Sequence, residues 1–197
     1  MRIAYISPTF LSDVDLSLLN DLQSKVDVDY YLQISPFILK NAAVCINKQN
    51  VKNGVLDVSD YPELEQFTRV IDKDKFYIVN DTGHHSYSCY FHLLIKLLCG
   101  KYDVIHFTWP FTKAGYIMYF LRKKMIMTVH DPFPHSSNDD SYNRSVRKVA
   151  FRAPILSETI SPKIYRSCTT AAHNYIRYFL ADCTVPLHIR NYNSNSN

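Results

Sequence analysis

Two short apolar runs separated by a helix-length segment constrain the fold of this chain more than any other feature. Residues 104–107 and 125–129 are mostly apolar, and they are followed by Pro110 and Pro132 respectively. The stretch between the runs, residues 111–124, is long enough for a crossover helix. A continuous apolar run is typical of a strand buried on both faces of a parallel sheet. The pattern therefore predicts a strand–helix–strand unit in a parallel sheet.

The same alternation of strand and helix occurs earlier in the chain. Strands are predicted at 2–6, 28–32 and 75–79 and a weaker one at 55–58, with helices at 12–26, 61–70, 87–99 and 113–124. Ser12 and Ser86 are predicted N-caps, and Gly100 is predicted to end its helix as a C-terminal glycine. We therefore expect an α/β fold, a doubly wound and mostly parallel Rossmann-like sheet with helices on both faces.

The regular pattern weakens near the end of the chain. We predict one Rossmann-like domain at 1–152 and an irregular tail at 153–197. Three prolines interrupt that tail, and its last residues, 191–197, are polar and of low complexity. The tail is expected to be partly disordered, and its irregularity suggests a truncated or frame-shifted product.

Composition excludes several classes of protein. No stretch of 18 residues is apolar and free of charge, so no transmembrane helix is predicted, and the first residues read as a strand rather than a signal peptide. Five cysteines without a paired spacing indicate reduced thiols in a cytoplasmic protein. A net charge of +4 is too small to indicate nucleic acid, and the four glycines form neither phosphate-binding fingerprint.

Two histidines are the strongest candidates for a functional site. His106 and His130 lie near the carboxyl ends of the two runs described above, and Asp131 follows His130. Ligands of open parallel sheets bind outside those strand ends. An imidazole, with a pKa near ~6.5, can donate, accept or carry charge there. We interpret the three residues as contacts for sugar hydroxyls or a leaving phosphate; the alternative is that each histidine is an ordinary hydrogen-bonded polar residue.

Aromatic residues flank these histidines. Trp109, Phe111 and Phe133 would offer flat apolar walls of the kind on which a sugar ring packs, the alternative being ordinary loop packing. The D-x-D triplets at 13–15 and 27–29 fit a helix start and a strand edge, and a third at 72–74 fits a turn. No metal site is therefore predicted.

The end of the predicted crossover helix combines aromatic and basic residues. Residues 116–121 are aromatic or aliphatic, and residues 122–124 are Arg-Lys-Lys. Cations at a helix C-terminus offset the helix dipole, which is one interpretation. The other is that this end of the helix rests on a membrane surface that carries a lipid-linked acceptor.

Three blocks resemble a known family. Arg2–Pro8, Tyr102–Phe107 and Met127–Asp131 are similar, in this order, to the amino-terminal half of family-4-like glycosyltransferases of the GT-B fold. The resemblance implies that this domain binds the acceptor, that His130 lies beside the transferred sugar, and that His106 lines the acceptor side. We therefore predict His130 and Asp131 as catalytic residues. The predicted acceptor-binding residues are His106 and the three aromatic residues Trp109, Phe111 and Phe133. The resemblance implies no cofactor, the nucleotide-sugar donor being a substrate. The segment Thr9–Asp13 departs from the glycine-rich loop of the family.

The resemblance also implies a function. The expected full-length enzyme transfers a hexose from a nucleotide-sugar to a cell-envelope polysaccharide or lipid-linked acceptor. The donor domain of that family has no counterpart in this sequence, so the chain is expected to be inactive alone. We expect it in the cytoplasm, with peripheral contact to the inner face of the membrane and no nucleic-acid partner. The alternative is a stand-alone sugar- or partner-binding module without catalysis.

Overall fold

The structure is a computed structural model that describes residues 1–34, 52–61, 64, 67–81, 86–109, 117–118, 120–122, 124–129 and 155–157. The strands are β1 (Arg2–Pro8), β2 (Asp27–Ile34), β3 (Gly54–Asp57), β4 (Phe76–Asn80), β5 (Val104–Phe107), β6 (Met125–Val129) and β7 (Ile155–Ser157). The helices are α1 (Ser12–Gln23) and α2 (Ser86–Cys99), with short 3-10 turns at Thr9–Leu11, Val58–Asp60, Phe67–Arg69 and Lys73–Lys75.

All seven strands form one sheet in the order β3-β4-β2-β1-β5-β6-β7. Among the strands of the described residues, β3 alone is antiparallel to its neighbour. Counted without β3, the parallel strands have the order 3-2-1-4-5-6 of the doubly wound dinucleotide-binding fold. The predicted fold class is therefore confirmed, and the strand order reverses between β1 and β5.

Each face of the sheet carries its own hydrophobic core. On one face Leu19 and Leu22 of α1 pack with Phe67 and Ile71 from the segment after β3. On the opposite face the buried side of α2 packs with Met118 and Leu121. The prediction of helices on both faces is confirmed. β7 pairs with β6 beyond residue 152, and the predicted boundary at that residue stays a prediction.

Two predicted helices are absent at the positions that the structure describes. In the predicted helix 61–70, Phe67–Arg69 is a 3-10 turn. In the predicted helix 113–124, Ile117, Met118, Phe120 and Leu121 have 3-10 geometry. Both segments still bury apolar side chains, because a 3-10 turn also places residues three apart on one side. The spacing of apolar residues alone therefore could not distinguish an α-helix from a 3-10 helix.

The predicted caps were also wrong in detail. Ser12 is the first residue of α1 rather than its cap, and Leu11 precedes the helix without a side-chain hydrogen bond. After α2 the left-handed residue is Lys101, with φ 53°, and not Gly100. Glycine is required at position 100 for a different reason, since a Cβ there would lie 2.2 Å from the ring of Tyr102.

Among the residues that the structure describes, no helix is long and apolar enough to cross a membrane.

Candidate functional site

The carboxyl ends of β1 and β5 meet where the strand order reverses. The backbone N–H of Thr108, just after β5, donates to the carbonyl of Ile6 in β1 over 2.9 Å. β1 then leads through the turn Thr9–Leu11 directly into α1. In an open α/β sheet this reversal is the position of the ligand crevice. The side chains at these two strand ends are therefore the first place to look for a site.

Four polar side chains form a connected cluster at this reversal. The Tyr5 hydroxyl donates to Asp15 Oδ1 over 2.7 Å, and the Ser7 hydroxyl donates to Asp15 Oδ2. The Thr108 hydroxyl donates in turn to Ser7 Oγ over 2.8 Å. All four residues are at most 3% exposed. The hydrogen bonds thus run from the end of β5, through the end of β1, to a carboxyl group on α1.

Burial changes the acid–base behaviour of this carboxyl group. Loss of solvent raises the pKa of Asp15 to about 6, although the hydrogen bonds from Ser7 and Tyr5 lower it. The chain of hydroxyls therefore ends on a group that exchanges a proton close to neutral pH. Burial, together with the charge of Asp15, also raises the pKa of the Tyr30 phenol.

Two buried hydroxyls lie beside the cluster, those of Thr9 and Ser12. Neither Thr9 Oγ1 nor Ser12 Oγ makes a hydrogen bond within the part of the chain that the structure describes. Thr9 lies in the turn before α1 and Ser12 is the first residue of α1, its backbone N–H donating to the carbonyl of Thr9. Buried polar atoms are normally hydrogen-bonded. These two hydroxyls are therefore candidates for contact with a ligand.

His106 lies inside the sheet rather than at its rim. It is the third of the four residues of β5 and is fully buried. Its Nε2 is 2.8 Å from Thr128 Oγ1 in β6, and its ring meets the Tyr5 ring edge-on at a centroid distance of 5.0 Å. The imidazole is thus coupled to the cluster through Tyr5. Its predicted role in acceptor binding stays a prediction.

Trp109 directly follows Thr108 of the cluster. Its ring is half-buried and packs edge-to-face against Phe10 at a centroid distance of 4.9 Å. The two rings belong to the segments that follow β5 and β1, so they flank the polar cluster. The predicted site residues His130, Asp131, Phe111 and Phe133 lie outside the described residues.

Sequence reasoning missed most of this cluster. Asp15 was interpreted only as a first-turn carboxylate, and Ser7 and Thr108 were not proposed as site residues. The signal that could have identified Ser7 and Thr108 is a hydroxyl residue at the carboxyl end of each buried strand. Within the described ranges, no group of three or more His, Cys, Asp or Glu residues is placed to hold a metal ion.

The strand order defines a Rossmann-like fold. No protein-family model matches this chain, and no curated protein matches it. A short-chain dehydrogenase/reductase from Veillonella parvula is similar in structure, with a TM-score of 0.38 and 12% identity over 80% of this chain and 68% of that one. The SurE protein from Aquifex aeolicus has a TM-score of 0.33 and 10% identity, over 77% of this chain and 58% of its own. At these levels neither structure indicates what this chain binds.

Proposed function

We propose that this chain is the saccharide-binding, acceptor-side domain of a glycosyltransferase, and that the acceptor enters the crevice between β1 and β5. The observation that carries the proposal is the buried cluster of Ser7, Asp15 and Thr108. Beside it lie the hydroxyls of Thr9 and Ser12, which have no hydrogen-bond partner among the described residues. A sugar presents several hydroxyls that each donate and accept. A site of hydroxyls around one carboxyl group suits such a ligand.

The aromatic pair of Phe10 and Trp109 supports the same class of ligand. Trp109 and Phe10 offer apolar rings next to the polar cluster. Small-molecule sites commonly combine apolar walls with a few polar groups that fix the orientation of the ligand. A pyranose has one apolar face and a polar edge. Its apolar face would pack on the aromatic pair and its polar edge would face the polar cluster.

The proposed reaction is the transfer of a hexose from a nucleotide-sugar to a cell-envelope polysaccharide or a lipid-linked acceptor. This domain would bind and orient the acceptor, and His130 and Asp131 are the proposed catalytic residues by resemblance to the glycosyltransferase blocks. Positioning two substrates can lower a barrier by ~7–11 kcal/mol. The chain alone is therefore proposed to bind acceptor without turnover, and no cofactor is proposed.

Binding measurements on the full chain test this proposal. We expect binding on an array of oligosaccharides built from hexoses and N-acetylhexosamines, and no binding of UDP-glucose or UDP-N-acetylglucosamine by calorimetry. Ser12→Ala removes a hydroxyl that has no partner within the described protein. It should therefore weaken saccharide affinity by roughly tenfold, as expected for one lost hydrogen bond, without lowering the free energy of unfolding.

Ser88→Ala is the matched control, because Ser88 is an exposed hydroxyl on α2. Its affinity for the same saccharide should be unchanged. Absence of any saccharide binding on the array would contradict the proposal. Tight binding of a nucleotide-sugar by this chain alone would instead assign the crevice to the donor. Saccharide binding with no activity in a chain extended by a donor domain would favour the alternative, a sugar-binding module without catalysis.

A further inference from the structure

The hydroxyl protons of the buried cluster all point toward the carboxyl group of Asp15. Ser7 Oγ donates to Asp15 Oδ2, and Thr108 Oγ1 donates to Ser7 Oγ over 2.8 Å. Tyr5 donates to the other carboxyl oxygen, Oδ1, over 2.7 Å. A hydroxyl has one proton to donate, whereas an ionised carboxylate can only accept. The direction of the hydrogen bonds is therefore set by the group at their inner end, Asp15.

Protonation of Asp15 would reverse this direction. A carboxylic acid donates one hydrogen bond, which the carboxylate cannot do. With the proton on Oδ2, Asp15 donates to Ser7, and the Ser7 proton turns toward Thr108. The Thr108 hydroxyl also lies 3.3 Å from the carbonyl of Ile6, which can accept its proton in that state. The two forms of Asp15 therefore leave different donors and acceptors along the crevice.

Ser12 connects the proposed saccharide to this carboxyl group. Ser12 and Asp15 are three residues apart on α1, so their side chains lie on the same side of the helix, with Cβ atoms roughly 5–6 Å apart. Both are at most 3% exposed, and Ser12 Oγ has no hydrogen-bond partner among the described residues. A saccharide hydroxyl bonded to Ser12 thus lies about one helical turn from Asp15.

The titratable side chains that face Asp15 are two tyrosines and, less directly, a histidine. Tyr5 of β1 donates to it, and burial together with the charge of Asp15 raises the pKa of Tyr30 on β2. His106 of β5 meets the Tyr5 ring edge-on at a centroid distance of 5.0 Å. Asp15 forms no ion pair with any residue that the structure describes. Its ionised form is therefore stabilised by hydroxyl donors, and a further donor from a ligand would stabilise it more.

We propose that Asp15 determines the specificity of the crevice, because its ionised form binds tightly only a saccharide that donates a hydroxyl proton toward the cluster. A donated hydrogen bond stabilises a buried anion, either directly or through a chain of polarised hydroxyls. Saccharide binding then tightens when Asp15 loses its proton. This inference rests on the saccharide site proposed above and adds its specificity and its dependence on pH.

The sign of the pH dependence follows from the burial of Asp15. Loss of solvent raises its pKa to about 6, so the carboxyl group is mostly protonated at pH ~5 and mostly ionised above pH ~7. A saccharide that favours the ionised form lowers this pKa in the complex, and binding then releases protons. A roughly tenfold preference corresponds to about one pKa unit, which gives a release of about half a proton per saccharide near pH ~5.5.

Titration calorimetry of the full chain tests the inference. The probe is the oligosaccharide that binds most tightly on the array described above. We expect its affinity to rise roughly fivefold from pH ~5 to pH ~8, and buffers of different ionisation enthalpy to show the proton release. Asp15→Asn should bind with equal affinity at both pH values and release no proton. The proton release of the unmodified chain tests the inference even if this variant does not fold.

Analogues of the probe with one hydroxyl replaced by fluorine identify the donated proton. Fluorine cannot donate a hydrogen bond, and it is close in size to a hydroxyl. At least one such analogue should bind roughly tenfold more weakly than the parent at pH ~8 and within about twofold of it at pH ~5. Analogues that all weaken equally at both pH values would contradict the assigned direction of the hydrogen bonds.

Asp21→Asn is the matched control, because Asp21 is an exposed carboxylate on the same helix. It should keep the pH dependence of the unmodified chain. Equal affinity of the unmodified chain at both pH values, or a pH dependence that Asp15→Asn retains, would overturn the inference and leave the proposed saccharide site standing. Failure of every oligosaccharide to bind at either pH would overturn the proposed function, and this inference with it.

Discussion

At the scale of single residues, the hydroxyls of the neighbours Tyr30 and Tyr31 are expected to contribute differently to the free energy of unfolding. They are adjacent in β2 and fully buried, and their side chains lie in the cores on opposite faces of the sheet. The Tyr31 hydroxyl is hydrogen-bonded to the Tyr102 hydroxyl at 2.8 Å. The Tyr30 hydroxyl has no hydrogen-bond partner among the residues that the structure describes. A buried hydroxyl without a partner costs free energy, whereas a bonded one does not.

Replacing each tyrosine by phenylalanine should therefore have opposite effects. Tyr30→Phe removes an unsatisfied hydroxyl and should raise the free energy of unfolding by about 1 kcal/mol. Tyr31→Phe breaks a buried hydrogen bond and should lower it by about 1 kcal/mol or more. Urea denaturation followed by circular dichroism measures both. Changes of the same sign in the two variants would contradict the assignment of their hydroxyls.

Only part of the candidate site could be predicted from single residues in the sequence. His106 was selected because it stands out in an apolar run, and the structure connects it to the cluster through Tyr5. Asp15 does not stand out from its sequence neighbours, because an acidic residue in the first turn of a helix is common. Its burial depends on the sheet beneath α1, which local sequence does not show.

At the scale of elements, the end of α2 depends on close packing between a glycine and an aromatic ring. Gly100 continues the backbone hydrogen bonds of the helix, its N–H donating to the carbonyl of Lys96 over 2.9 Å. The ring of Tyr102 then lies against Gly100, and the Tyr102 hydroxyl donates to the buried carboxylate of Asp29. Arg2 Nη2 also contacts this carboxylate, at 2.9 Å. The helix end is thereby joined to β1 and β2.

Gly100→Ala should disrupt this junction. Because the added Cβ would lie 2.2 Å from a carbon of the Tyr102 ring, the ring must move and its bond to Asp29 must weaken. We expect the free energy of unfolding to fall by roughly 1–3 kcal/mol, the usual cost of overpacking. Thermal or urea denaturation measures the change. Ser88→Ala on the exposed surface of the same helix should stay within about 0.5 kcal/mol, and equal values for the two variants would contradict the packing argument.

At the scale of the whole molecule, Asp15 connects folding stability to pH. Its carboxyl group joins α1 to β1, and its pKa is raised from 3.8 to about 6 in the folded protein. The folded state therefore holds this proton at pH values where the unfolded chain has lost it. The contribution to stability is complete below pH ~4 and is lost as the pH rises through about 6.

The variant Asp15→Asn should remove this dependence. Relative to the unmodified chain, its free energy of unfolding should increase between pH 4 and pH 7 by up to roughly 3 kcal/mol, the equivalent of about two pKa units. Urea denaturation at intervals across that range measures the difference. Parallel stability curves for the two proteins would show that Asp15 is not titrating there. A gain in stability at neutral pH would indicate that this carboxyl group is retained for a purpose other than stability.

The class of fold and most of its strands follow from local patterns in the amino-acid sequence. Apolar runs and helical spacing are local properties, so β1, β2, β4, β5 and β6 and both long helices could be predicted from short stretches. Which strands are neighbours became clear from the three-dimensional fold. Pairing of β1 with β5 brings Ser7 against Thr108, 101 positions apart. The three-dimensional fold likewise decided which side of α2 remains outside the core, because burial depends on the width of the sheet beneath the helix and not on the helix sequence alone.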